Sequence, residues 1–181
     1  DHSLIIGPSG GGKTTFLHLL SGLMEVQRGS IHVHGIDLSK LKGAALDHFR
    51  GQHIGFVFQR PHLIDALTVE ENISMATFFG RKSSKRAAVN RIMEELGIDR
   101  LKKRRIHQIS QGQAQRVAIA RAVINEPELI FGDEPTASLD DDSCEAVITL
   151  LKNQAETCNA TLIIATHDSR VKSAFPNQLT L

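Results

Sequence analysis

Leu4-Ile5-Ile6-Gly7-Pro8-Ser9-Gly10-Gly11-Gly12-Lys13-Thr14-Thr15 decides the fold. The first three residues form a short apolar run stopped by Gly7-Pro8, which reads as a buried strand. Gly7 to Thr14 fits the spacing G-x-x-x-x-G-K-[ST], and Lys13 to Leu23 continues with apolar residues at helical intervals. Strand, glycine-rich turn and helix in that order make a phosphate cradle. The glycines let successive backbone N–H groups curl around phosphate oxygens, and the helix start adds unpaired donors and a positive dipole end. Lys13 supplies a point charge for the β- and γ-phosphates, and Thr14 a hydroxyl for Mg²⁺.

Further apolar strands alternate with helices along the chain. Ser30–His34 alternates and turns at Gly35, as a half-exposed antiparallel strand does, and a short helix is expected over 41–50. Ile54–Phe58, Leu129–Phe131 and Thr161–Ala165 read as buried strands, with a helix over 141–156. A helical region covers about 68–124. Thr68 with Glu71 forms a capping box, Ser84 starts a helix that ends at Gly97, and Ser110 caps a third. The fold class is therefore α/β: a mostly parallel central sheet, a partial antiparallel β-subdomain and an inserted α-helical subdomain. One domain is expected over 1–181, with its core at about 1–67 and 125–181.

In such sheets ligands bind beyond the carboxyl ends of the strands, and the polar residues gather there. Asp133 and Glu134 follow the strand at 129–131 directly. Asp133 is suited to hold Mg²⁺ and Glu134 to polarise an attacking water as general base. Gln59 follows the strand at 54–58, where its amide can touch both metal and water. His167 follows the strand at 161–165, within hydrogen-bonding reach of a γ-phosphate or of Glu134. Taken singly, an acidic pair, a glutamine and a histidine are ordinary loop residues; the cradle gives them a common purpose. The other eight histidines are read as surface residues.

Bulk properties narrow the class. The chain has 181 residues, 41% hydrophobic content and net charge +1, which gives no general attraction to nucleic acid. Residues 81–105 hold 10 Lys+Arg against three acids, so this segment is +7 and the remainder −6. The basic segment is either a solvated helical surface or a face toward anionic lipid headgroups. Cys144 and Cys158 lack metal spacing and read as reduced thiols. No apolar run reaches the ~18 residues that a membrane span needs. The chain opens on Asp1 rather than Met, and is expected to be an excised domain.

Taken together these residues resemble the ABC ATPase family. The match runs in order through Gly7–Thr15, Gln59, Ser110-Gln111-Gly112-Gln113, Leu129–Glu134, Ser138-Leu139-Asp140 and His167. Ser110–Gln113, continuing into Arg116–Ala122, looks like the signature that separates this family from other P-loop ATPases. Gln111 stands where the family usually has glycine. The resemblance implies ATP and Mg²⁺ as ligands, and a head-to-tail dimer of two ATPase subunits. In that dimer Ser110 and Gly112 of one copy meet the γ-phosphate held by the other, with Gln111 and Gln113 beside them. Ser138–Asp140 would line the same interface. It also implies an integral membrane permease docked beside Gln59, with Phe58, Arg60, His62 and Leu63 as the groove wall. That places the chain at the cytoplasmic face of the inner membrane. The family's adenine-stacking aromatic would lie upstream of Asp1, and its last strand would extend past Leu181.

Residues 38–72 look most like the subgroup of lipoprotein release, macrolide or peptide export, and cell division. Two alternatives stay open at this stage: a non-transporting ATPase that drives a cell-division membrane complex, and a soluble ABC ATPase acting on ribosomes or nucleic acid. The short, heptad-free stretch between cradle and signature argues against the chromosome-organising types.

Overall fold

In the computed structural model, which describes residues 2–80, 86–137 and 139–181, five parallel strands run in the order β4-β5-β6-β1-β7. They are β1 (His2–Ile6), β4 (Ile54–Val57), β5 (Leu129–Asp133), β6 (Thr161–Thr166) and β7 (Asn177–Thr180). A separate antiparallel pair, β2 (His32–Val33) and β3 (Ile36–Asp37), makes a small hairpin. The mostly parallel sheet and the antiparallel piece agree with the expected architecture. The proposed helix start at Ser84, and Ser138 of the segment expected to line the interface, lie outside the described residues.

Strand alternation sends neighbouring residues to opposite faces of the sheet. Leu4, Ile130, Leu162 and Ile164 join the large core. That core also takes in α3 (Val69–Phe79), α4 (Arg86–Glu95), α5 (Gln111–Val123) and α6 (Asp141–Thr157). Ile5, Phe131 and Ala165 face the other way, onto Leu17 of α1 (Lys13–Leu20). A third small cluster of Val33, Leu38 and Phe49 fixes the hairpin against α2 (Ala44–His53).

Helix starts follow the capping chemistry in the sequence. Thr68 with Glu71 and Ser110 with Gln113 both form complete capping boxes, and Asp140 caps α6 through Ser143. One end differs from expectation. Leu23 keeps the apolar period, yet α1 stops at Leu20. Gly22 takes φ 67°, and the N–H groups of Gly22 and Leu23 return to the carbonyls of Leu19 (3.1 Å) and His18 (2.8 Å). That is a Schellman end, which a glycine at this position makes easy. Among the described residues, no helix is long and apolar enough to cross a membrane.

Candidate functional site

The parallel register puts the ends of β1, β5 and β6 side by side, with Ile6 opposite Thr166 and Asp133 opposite Ala165. Every group that sequence reasoning placed at a strand end in this region therefore emerges at one mouth. Loop 7–12 leaves β1 and enters α1 through Gly12, whose φ of 88° is a left-handed conformation that side chains resist. Gly12 offers no side-chain cap and the first turn carries no acid, so the helix start remains open to an anion. Pro8, Ser9, Gly10 and Gly11 form the exposed lip of the loop; Thr15 is exposed on the first turn of α1, and Gly7 is buried.

Lys13 is only 6% exposed, and its ammonium donates to the carbonyls of Gly7 (2.9 Å) and Pro8 (3.1 Å). It also lies 3.4 Å from Oε1 of Glu134. Thr14 donates its hydroxyl to Oδ1 of Asp133 at 3.1 Å. These two hard oxygens are the kind of partial ligand set that Mg²⁺ takes from protein, leaving its other positions for phosphate and water. Burial pushes the Asp133 carboxyl above its ordinary value, with the nearby Glu134 carboxylate adding to the shift; the Thr14 hydrogen bond and the charges of His18 and Lys13 oppose it. A cation here would relieve that desolvation, so the residues fit the metal. No cluster of three or more His, Cys, Asp or Glu forms a metal cage among the described residues.

Glu134 follows β5 in a left-handed backbone conformation, φ 49°, which is costly for a non-glycine residue. Its N–H donates to the carbonyl of Ala165 at 2.8 Å, which pins the turn to β6. The carboxylate accepts from the Thr166 hydroxyl at 2.7 Å, from the His167 N–H at 3.1 Å and from His167 Nδ1 at 2.7 Å. An ionised carboxylate can only accept, so Nδ1 carries the proton in this contact. Burial alone would raise the Glu134 pKa. The hydrogen bonds from His167 and Thr166, with the charges of His167 and Lys13, outweigh it and hold the carboxyl below its usual range.

Gln59 is exposed two residues past β4, whose Val57 pairs with Gly132, so it leaves the sheet beside the acidic pair. Ser110–Gln113 sit at the start of α5, and no hydrogen bond among the described residues joins them to the cradle. The Ser110 hydroxyl accepts from the Gln113 N–H (3.2 Å), and the Gln113 amide oxygen accepts from the Ser110 N–H (2.9 Å). The side chain of Gln113 thus serves the cap, while Gln111 is exposed at the helix start. A methyl group added at Gly112 would meet nothing within 4 Å. Nothing among the described residues requires a glycine there.

Several contributors escaped sequence reasoning. Thr166 and Asp168 flank His167 in sequence and hold its turn, with the Asp168 N–H donating to the Thr166 hydroxyl at 3.0 Å. Gln115, buried on α5, donates to the carbonyl of Pro135 at 3.0 Å, next to Glu134. Arg121 donates to the carbonyls of Pro61 and His62, each at 2.7 Å, and so ties α5 to the loop beyond Gln59. Reading His18 as a surface residue needs correction. It is half-buried against Phe56 and Phe58, with ring centroids 5.6 and 6.3 Å away, and its Nε2 is enclosed with no hydrogen-bond partner among the described residues. Lying five residues after Lys13, it falls on the face of α1 that meets the sheet. Beside β4 a cleft of about 460 Å³ is walled by Leu23, Arg50, Ile54, Phe56, Phe58 and Phe79, and Phe58 is common to it and to the expected groove wall.

The comparisons with known proteins agree with this geometry. Residues 2–137 match the family described as ABC transporter. The bacitracin export ATP-binding protein BceA of Halalkalibacterium halodurans is 41% identical over 166 residues, covering 91% of this chain and 66% of that protein. The lipoprotein-releasing system ATP-binding protein LolD of Syntrophotalea carbinolica is 38% identical over 169 residues, covering 92% and 74%. The chain thus spans about two thirds to three quarters of these relatives' length, and 37% of a putative ABC transporter ATP-binding protein of Mycoplasma genitalium. Among solved structures, the dimeric ATP-binding cassette MJ0796, bound to ADP and Pi after hydrolysis, has a TM-score of 0.90 at 33% identity. That match covers 100% of this chain and 81% of that one. A family match across most of the sequence, on a sheet that already brings Lys13, Asp133, Glu134 and His167 to one mouth, makes this chain an ATP-binding domain of the ABC transporter family.

Proposed function

We propose that this chain binds and hydrolyses ATP and powers a membrane transporter, of the kind that exports compounds or releases lipoproteins. The observation that carries the reading is the Glu134 carboxylate, held ionised by His167 and Thr166 within 3.4 Å of the cradle lysine. The relatives' names, bacitracin export and lipoprotein release, support the class of cargo.

On this reading ATP lies along loop 7–12, its phosphates taking N–H groups from the loop and the start of α1. Lys13 turns from the Gly7 and Pro8 carbonyls to the β- and γ-phosphates. Mg²⁺, when bound, neutralises phosphate charge; the Thr14 hydroxyl and Asp133 would hold it, with Gln59 beside it. Glu134 takes the proton of the attacking water, and His167 keeps the carboxylate oriented while its Nε2 faces the γ-phosphate. The start of α5, with Ser110, Gln111 and Gly112, serves a nucleotide held by a second copy, as the MJ0796 dimer suggests. The helical stretch 68–124 carries the motion, and the aromatic cleft around Phe56, Phe58 and Phe79 receives a permease at the cytoplasmic face of the membrane.

The test is Glu134→Gln in the intact protein. Hydrolysis should fall by about 10²–10⁴-fold, the usual weight of a general base, while ATP still binds and light scattering shows pairing. Undiminished turnover removes Glu134 as the base; ATP binding without pairing removes the two-copy site.

A further inference from the structure

Two loops leave the sheet beside Glu134. One runs from Glu134 through Pro135 and Leu139 into α6, and the other from Thr166 into the 3₁₀ turn Ser169–Ala174. The guanidinium of Arg170 bridges them. Its Nε donates to Oδ1 and Oδ2 of Asp168, both at 3.0 Å, and its Nη2 to Oδ2 at 2.7 Å. Its Nη1 donates to Oδ1 of Asp141 at 2.6 Å and to the carbonyl of Leu139 at 3.3 Å. The planar fork thus meets one carboxylate with two nitrogens and the far loop with the third, which a lysine could not do.

The clamp connects to the reacting carboxylate through a continuous hydrogen-bonded path. Asp168 lends its N–H to the Thr166 hydroxyl (3.0 Å), and Thr166 lends its proton to Oε2 of Glu134 (2.7 Å). With an acceptor position of the hydroxyl occupied by Asp168, the Thr166 proton points to Glu134. His167, between them, supplies two further donors to the same carboxylate. Without Arg170, Asp168 and Asp141 would stand as neighbouring uncompensated charges and the turn would lose its far anchor.

We propose that Arg170 is a positioning residue for hydrolysis: by clamping the 166–168 turn to the 139–141 segment, it keeps Thr166 and His167 aimed at Glu134. The proposal rests on the reading of Glu134 as general base. The Arg170 side chain bonds Asp168, Asp141 and Leu139 and no residue of loop 7–12, so its effect belongs in kcat and not in ATP affinity. A guanidinium that is 38% exposed could instead be a plain surface ion pair of little worth, and the two ideas predict different kinetics.

The experiment uses the intact protein with Arg170→Gln, Arg170→Lys, His167→Ala and the double variant Arg170→Gln/His167→Ala. Steady-state ATP hydrolysis is measured beside ATP affinity and a thermal melt. Arg170→Gln should lower kcat about tenfold or more, the scale of a misplaced catalytic group, with KM and ATP affinity held within about twofold. Arg170→Lys, which keeps the charge but not the fork, should stay low, and it decides the matter if the glutamine variant does not fold. In the His167→Ala background Arg170→Gln should add less than about twofold, because residues acting as one unit are not additive. Wild-type kcat in both Arg170 single variants, or losses that multiply fully in the double, would overturn the proposal. Failure of the underlying reading looks different: wild-type hydrolysis that survives Glu134→Gln overturns both.

Discussion

The ammonium of Lys13 lies 3.4 Å from Oε1 of Glu134, with the two side chains 6% and 11% exposed. Lys13 thus divides its ammonium between that carboxylate and the carbonyls of Gly7 and Pro8. On the proposed reading a γ-phosphate would compete for that lysine and so take from Glu134 one of the charges that hold its proton affinity down. Lys13→Ala is expected to weaken ATP binding by about 10–100-fold, the worth of a charge-assisted hydrogen bond. The same change should destabilise the protein without nucleotide by about 1–3 kcal/mol, because the Gly7 and Pro8 carbonyls lose a donor and a buried carboxylate its ion-pair partner. Nucleotide titration and denaturant unfolding check the two halves.

Two glycines should behave oppositely when given a methyl group. At Gly112 the added carbon meets nothing within 4 Å, whereas at Gly55 it would lie 2.5 Å from the carbonyl oxygen of Ala122. Gly112→Ala should melt at or slightly above the wild-type temperature, since alanine is the better helix former by about 1 kcal/mol, yet lose ATP-driven pairing. Gly55→Ala should destabilise the fold by about 1–3 kcal/mol through overpacking. A Gly112→Ala protein that pairs and turns over normally would show that nothing approaches this helix start.

The Arg170 hydrogen bonds hold the Asp168 carboxyl below its ordinary value, more than offsetting the burial that pushes it up. A lowered folded pKa means stability that is present above the unfolded value, about 3.9, and lost as pH falls through the folded one. Asp168→Asn keeps a good helix cap but cannot titrate. Its melting temperature should therefore sit below wild type from pH 7 to about 5, and the gap should close in the window below about pH 4. A gap that stays constant across that window, in melts at stepped pH, would contradict the assignment.

Burial lowers the pKa of Arg121, which serves two backbone carbonyls beyond Gln59. Arg121→Ala should cost about 1–3 kcal/mol by leaving the Pro61 and His62 carbonyls short of donors. Arg121→Lys should recover only part of that, because one ammonium replaces a two-nitrogen fork. Equilibrium unfolding of the three proteins measures the order.

The cradle, the acidic pair and His167 were legible in the sequence because each lies within a residue or two of a strand end, where geometry ties position to spacing. Ser110 and Thr68 were legible because a capping box is a local pattern. Arg170, Arg121 and Gln115 were not, since each acts on a carbonyl or carboxylate that only the folded chain brings near: Arg121 reaches back 59 and 60 residues and Gln115 forward 20. His18 shares the apolar face of α1, and helical periodicity gives no sign that a histidine there is shut in against two phenylalanines. Leu23 shows the limit of periodicity at an end. It fits the helical interval, but the glycine before it had already turned the chain.

Glu134 holds its backbone at φ 49°, where a side chain other than that of glycine or asparagine is a burden. A glycine at 134 would relieve that strain, but it would forfeit the hydrogen bonds from Thr166 and His167 and the ion pair with Lys13. The turn thus trades backbone ease for a carboxylate fixed at the mouth of the sheet, and the two sides of that trade are of similar size.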